Sequence, residues 1–130
     1  MIFSIVITGA PYSTQSVDSA YRYARSVLNQ GHQIHRVFFY ADAVHSGSSL
    51  AAPPQDEPHI PNLWSQLASE FNLDLVVCIA AAVRRGVVDD NEAKRYEKAA
   101  GNLTEGFTLS GLGQLVEAGI VSDRVVTFGA

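Results

Sequence analysis

The chain has 130 residues, enough for one domain with a real core and too few for two. At 47% hydrophobic and 17% charged it has the composition of an ordinary globular protein, which excludes a disordered or fibrous chain. A formal charge of −4, with no more than two adjacent Lys/Arg residues, denies it the basic footprint that direct nucleic-acid binding requires.

The opening Met1-Ile2-Phe3-Ser4-Ile5-Val6-Ile7 is apolar but lacks a basic n-region and a small-residue cleavage site. It reads as a first strand over residues 2–8, closing on the turn signal Gly9-Ala10-Pro11-Tyr12. Val17, Ala20, Tyr21, Ala24, Val27 and Leu28 then recur at helical spacing, with Asp18, Arg22 and Arg25 on the other face. Ser13, Thr14 and Ser16 are candidate N-caps and Gly31 suits the C-terminal stop. A second strand follows at residues 34–40.

Residues 41–61 read as an irregular connection holding four of the five prolines, and a connection this long is usually functional or ordered against a partner. Ile60, Leu63, Trp64, Leu67 and Phe71 form a second amphipathic helix with Pro61 in its first turn. The third strand spans 74–79, and its unbroken Leu75-Val76-Val77 fits a strand covered on both faces, as inside a parallel sheet. Residues 89–100 are polar, a solvated helix or rim excursion with Asp89 and Asp90 as candidate caps. Phe107-Thr108-Leu109 is a short fourth strand. Ser110-Gly111-Leu112-Gly113 opens a helix through Leu115, Val116 and Ile120, with Ser110 as its expected N-cap. Residues 124–128 are the last strand. The expected fold is a single α/β domain over 1–130, a three-layer α/β/α arrangement around a parallel sheet of about five strands. No apolar run approaches the roughly 20 residues that cross a bilayer. One cysteine and no export signal point to a reducing cytoplasm.

Most site signatures fail on spacing. The turn at Gly9 lacks the further glycines of a dinucleotide fingerprint, Gly111-Leu112-Gly113 has Val116 where a third glycine belongs, and no Gly-Lys-Ser/Thr phosphate loop exists. Tight strand-to-helix turns explain both glycine stretches, with an anion site at either as the weaker reading. His32, His35, His45 and His59 are scattered, and with one cysteine no tetrahedral metal set is visible. There is no Gly-x-Ser-x-Gly elbow.

What remains is Cys78. It has no disulfide partner in the chain, so it is a buried packing residue or a reactive thiol whose sulfur partner lies on another molecule. It falls at the carboxyl end of a strand, where open parallel sheets gather reactive groups. A helix start and the basic pair Arg84-Arg85 follow closely, and both favour thiolate over thiol. A solvated pair at a helix edge is the plainer reading of those arginines.

Several stretches resemble the DsrE/TusD family of sulfur-relay proteins over essentially the whole length: 8–15, Gly31-His32, 37–40, Pro53-Pro54-Gln55-Asp56, 78–89 and 106–113. The most specific is Cys78 followed by small residues and Arg84-Arg85-Gly86. The resemblance implies a sulfurtransferase that carries a cysteine persulfide on Cys78, with Arg84 and Arg85 as candidates for stabilising the thiolate. It implies no cofactor and no metal. The implied partners are TusB/TusC-like (or DsrH/DsrF-like) paralogous subunits in a heterohexamer, a TusA-like sulfur donor and a TusE-like (or DsrC-like) acceptor, with no direct nucleic acid and no membrane. Residues 107–110 look TusD-like, whereas Pro53–Asp56 and residues 113–118 look DsrE-like. The expectation leans to the TusD-like branch, whose sulfur goes to the wobble uridine of tRNA. The alternatives are a DsrE-type subunit in dissimilatory sulfur oxidation and a structural subunit with an inert Cys78.

Overall fold

Branched and aromatic side chains dominate five segments, and these become the strands β1 (Ile2–Ile7), β2 (Gln33–Phe39), β3 (Leu75–Cys78), β4 (Phe107–Ser110) and β5 (Arg124–Phe128). They form one sheet in the order β4-β3-β2-β1-β5, every neighbouring pair parallel. The structure, a computed structural model, describes residues 1–129. Five helices complete it: α1 (Ser16–Asn29), α2 (Ile60–Phe71), α3 (Ile79–Arg84), α4 (Asp90–Arg95) and α5 (Gly113–Val121). The expected α/β architecture is the one observed.

The pleat sorts the strand residues onto two faces. Ile5, Ile7, Val37, Phe39, Leu75, Val77 and Phe107 face α1 and α2. There Trp64 of α2 is 1% exposed and meets the rings of Tyr21 and Phe39 edge-on, each at 5.4 Å. Ser4, Val6, Arg36, Phe38, Val76, Cys78 and Ser110 share the opposite face, part of which lies under α5. A register shift between Phe3 and Ser4 brings Ser4 opposite Arg36.

The helix ends follow local chemistry. Gly31, at φ +85, closes α1: its N–H donates to the Leu28 carbonyl and that of His32 to the Val27 carbonyl. Asn72 closes α2 in the same left-handed conformation. None of the three candidate caps of α1 acts as its N-cap, a place taken by Gln15. Thr14 instead donates from Oγ1 to the Ala10 carbonyl, pinning the turn after β1.

Two expectations are corrected. Ala41–Gly47, expected to be irregular, is a 3-10 turn with Ala43, Val44, Ser46 and Gly47 buried. The four buried residues have small side chains and give no period to detect, but they pack closely: a Cβ on Gly47 would lie 3.1 Å from Leu103 and 3.4 Å from Val77. Ser110, expected to cap α5, is the last residue of β4 and pairs in register with Cys78. Leu112 takes the cap position, with no side-chain bond. A strand in want of a partner beside β3 outweighed the local capping preference.

Candidate functional site

All four residues of β3 are buried, because the strand lies between β2 and β4 inside the sheet. Cys78 ends the strand and is also the N-cap of α3, with φ −60 and ψ 119, so strand passes to helix with no loop between. The first N–H groups of a helix have no acceptor within it and point back toward the cap. Cys78 therefore stands where the sheet ends and those donors begin. Its pleat position places it with Phe38 and Val76, beside Ser110. The residue is 2% exposed.

The same carboxyl edge collects the turn after β1, the 3-10 turn after β2 and the Ser110–Gly113 link after β4. The exit of the 3-10 turn is tied to the chain leaving α3 by Asn102, which sequence reading did not single out. Its Oδ1 accepts the Val88 N–H at 2.8 Å, while Nδ2 donates to the Gly86 carbonyl at 3.0 Å and to Ser48 Oγ at 3.2 Å. Its backbone carbonyl also accepts the Ser49 N–H at 2.6 Å. One side chain thus joins the exit of the 3-10 turn to the chain leaving α3. In sequence, Gly101-Asn102 reads as a plain turn. Only the partners, 14 and more residues away, reveal the clamp.

The arginines lie at the far end of α3 from the thiol. Arg84 is the last residue of that helix and Arg85 its C-cap. Six helical residues rise about 9 Å. Arg85 donates from Nε to Asp42 Oδ1 at 2.9 Å and from Nη1 to the Ala81 carbonyl at 3.1 Å, fastening α3 to the 3-10 turn. Arg84 lines a shallow surface cavity of about 330 Å³ with Ile79, Ala80, Val83, Arg95 and Tyr96. A neighbouring cavity of about 410 Å³ lies between Leu50, Val83, Val88, Tyr96 and Asn102.

The histidines serve elsewhere. His32 Nδ1 lies 3.1 Å from the Met1 amine, and His35 Nε2 bonds to Glu117 Oε1. Among the described residues no group of three or more His, Cys, Asp or Glu side chains is placed to hold a metal ion. No described helix is long and apolar enough to cross a membrane.

The arrangement places the single thiol of the chain, buried, at a strand-to-helix junction beside a clamped edge. The DsrE/DsrF-like family matches residues 1–128. A protein of Allochromatium vinosum named "Putative sulfurtransferase DsrE" is 53% identical over 129 residues, covering 99% of each chain. Among solved structures, the YchN protein of E. coli superposes with a TM-score of 0.76 at 22% identity, over 98% of this chain and 99% of that one. At that identity the likeness speaks for the fold.

Proposed function

This chain belongs to the DsrE/DsrF-like family, and from that premise we propose that it is a sulfurtransferase carrying sulfur as a persulfide on Cys78. The observation behind this reading is the placement of the only thiol at the carboxyl end of β3, capping α3. Exchange at sulfur needs no other group. The Cys78 thiolate attacks the terminal sulfur of a donor persulfide, forming the new S–S bond as the donor leaves as a thiolate. An acceptor thiolate then attacks the terminal sulfur on Cys78, and the Cys78 thiolate is released. A second cysteine nearby would discharge the persulfide as an internal disulfide, and the chain has none.

A residue that is 2% exposed must be uncovered for either step. In this reading the donor and acceptor are proteins that bind the carboxyl edge and open it, and paralogous subunits complete the assembly. The burial equally favours a second reading, an inert Cys78 in a structural subunit. Intact-mass measurement separates the two. The assembled protein incubated with its persulfide donor gains one sulfur atom on Cys78, and Cys78→Ser gains none. No gain on the wild-type assembly would sink the carrier role.

The destination of the sulfur has two supported readings. The relative at 53% identity carries the DsrE name, which supports the oxidative branch. Residues 107–110 support the TusD-like branch and tRNA thiolation. The acceptor decides: persulfidated protein offered both a TusE-like and a DsrC-like acceptor transfers its sulfur to the one that belongs to its branch.

A further inference from the structure

A sulfur that changes partners is an anion in between, as a thiolate or as the outer sulfur of a persulfide. Cys78 is 2% exposed, and a buried anion is tolerated only where hydrogen-bond donors reach it. The helix start does not supply them: Cys78 is the N-cap of α3, yet its side chain accepts no hydrogen bond there. The row across the sheet does hold donors. Ser110 of β4 pairs in register with Cys78, and paired residues at one level send their side chains to the same face. Among the described residues β4 ends the sheet, so Cys78 is the cross-strand neighbour of Ser110 in that row. On the other side of β3 the ladder runs Phe38 to Val76 and Phe39 to Val77. One step on, Tyr40 stands level with Cys78, its backbone still extended at φ −126 and ψ 163. Its ring lies 6.4 Å from that of Phe38, two residues back on the same face.

We propose that Ser110 is a binding residue for the reacting sulfur: its hydroxyl donates to the thiolate of Cys78 and to the outer sulfur of the persulfide formed there. The inference rests on the sulfur-transfer reading and adds to it the group that holds the charge. Exchange at sulfur runs without help, but a buried sulfur anion does not form freely without a donor. Neighbouring strands lie about 4.8 Å apart, a gap that a serine hydroxyl and a cysteine sulfur close by rotation about χ1. Tyr40 is the less suited of the two neighbours. Its phenol oxygen is carried a full ring's length from the sheet, whereas Ser110 Oγ, one bond from its Cβ, stays at the height of the sulfur. Ser110 is also free of the duty its sequence context suggests, because Leu112 takes the cap position of α5. Of the titratable side chains, Tyr40 shares the row. Arg36 lies four residues earlier on the same face of β2, and Arg84 and Arg85, the latter paired with Asp42, stand at the far end of α3.

The test compares Ser110→Thr with Ser110→Val in the full chain. The two new side chains share a shape that suits a strand and differ in the hydroxyl alone. Alkylation by iodoacetamide is followed against pH without any persulfide, and with one cysteine in the chain every adduct is at Cys78. Ser110→Thr should follow wild type. Ser110→Val should react about tenfold more slowly near neutrality and recover at high pH, because the hydroxyl favours the thiolate. If Ser110→Val does not fold, Ser110→Ala takes its place. Profiles that coincide for the variants with and without the hydroxyl overturn the proposal, whether they match wild type or not. Intact mass after incubation with a persulfide donor is read on the same proteins and judges the carrier role separately. Sulfur uptake with coincident profiles removes Ser110 and leaves the carrier. A shift confined to the variant without the hydroxyl, in proteins that take up no sulfur, removes the carrier and leaves the bond from Ser110 to the thiolate.

Discussion

The guanidiniums near Cys78 can be weighed by distance and pairing. A unit charge about 9 Å from the sulfur, in water, is worth roughly 0.5 kcal/mol, about a twofold change in thiolate fraction where the thiol is partly ionised. Arg85 is already balanced by Asp42 at 2.9 Å, so its net field at the thiol is smaller still. The expectation is that Arg84→Ala slows alkylation of Cys78 by about twofold and Arg85→Ala by less, measured as rate against pH; a tenfold effect from either would place that side chain against the sulfur. Asn102 should matter more for stability. Asn102→Ala leaves the buried Val88 N–H and the Gly86 carbonyl without their side-chain partner. The loss should be about 1–3 kcal/mol, read as a lower urea midpoint at unchanged slope. Cys78 could be found in the sequence because a thiol ending an unbroken apolar run already says strand end. Asn102 could not, since an asparagine after glycine says turn, and its partners sit on segments remote in sequence.

At the scale of elements, α5 rests on the sheet through Ala118 and the partly buried Leu115 and is also tied to it by Glu117, bonded to His35 and Arg36, and those polar contacts make its docking sensitive to acid. The hydrogen bond from His35, the largest influence, holds the Glu117 carboxyl below its ordinary value; desolvation pushes back, and the charge of Arg36 adds a smaller lowering. Asp74 faces the same arginine from the start of β3. A carboxylate lowered in the folded state stabilises that state fully above its unfolded pKa. The contribution is lost as pH falls through the lowered folded value. Hydrogen exchange in α5 should therefore speed up relative to α1 as the pH is taken down through that acid range. Glu117→Gln should show the faster exchange already at neutral pH, with little further change in acid; equal acid sensitivity in wild type and variant would detach the effect from Glu117. The helix was legible as a helix from Leu115, Val116 and Ile120, but its facing was not. A 3.6-residue period marks an apolar side without saying whether sheet or partner receives it. The 3-10 turn at Ala41–Gly47 was illegible for a different reason: its burial comes from small residues packed under α3 and β3, with no repeat along the chain.

For the whole molecule, strand count and parallel pairing followed from alternating strand and helix patterns, whereas the order β4-β3-β2-β1-β5 did not. Nothing local tells β5 to cross to the far side of β1, about 120 residues away in sequence, because that pairing is selected only when the sheet assembles. The order puts β3 inside the sheet and so puts Cys78 at a protected edge. Charge along the chain is balanced within segments. Five of the nine Lys and Arg residues fall between 84 and 98, but Asp89, Asp90, Glu92 and Glu97 are interleaved with them. Arg85 is paired to Asp42, and Arg95 lies 3.9 Å from Glu92. Such a segment has almost no net field, on a chain whose formal charge is −4. Neutralising phosphates is what drives nucleic-acid affinity, with log K falling by roughly 0.9 per phosphate contact for each tenfold rise in salt. This chain should accordingly show no retention of tRNA in filter binding at physiological ionic strength, and no steep gain when salt is lowered, even if its sulfur ends in tRNA. A complex with a salt slope worth several phosphate contacts would mean that the basic residues act together as a footprint. The sulfur would then be delivered on the nucleic acid itself instead of through an intervening protein.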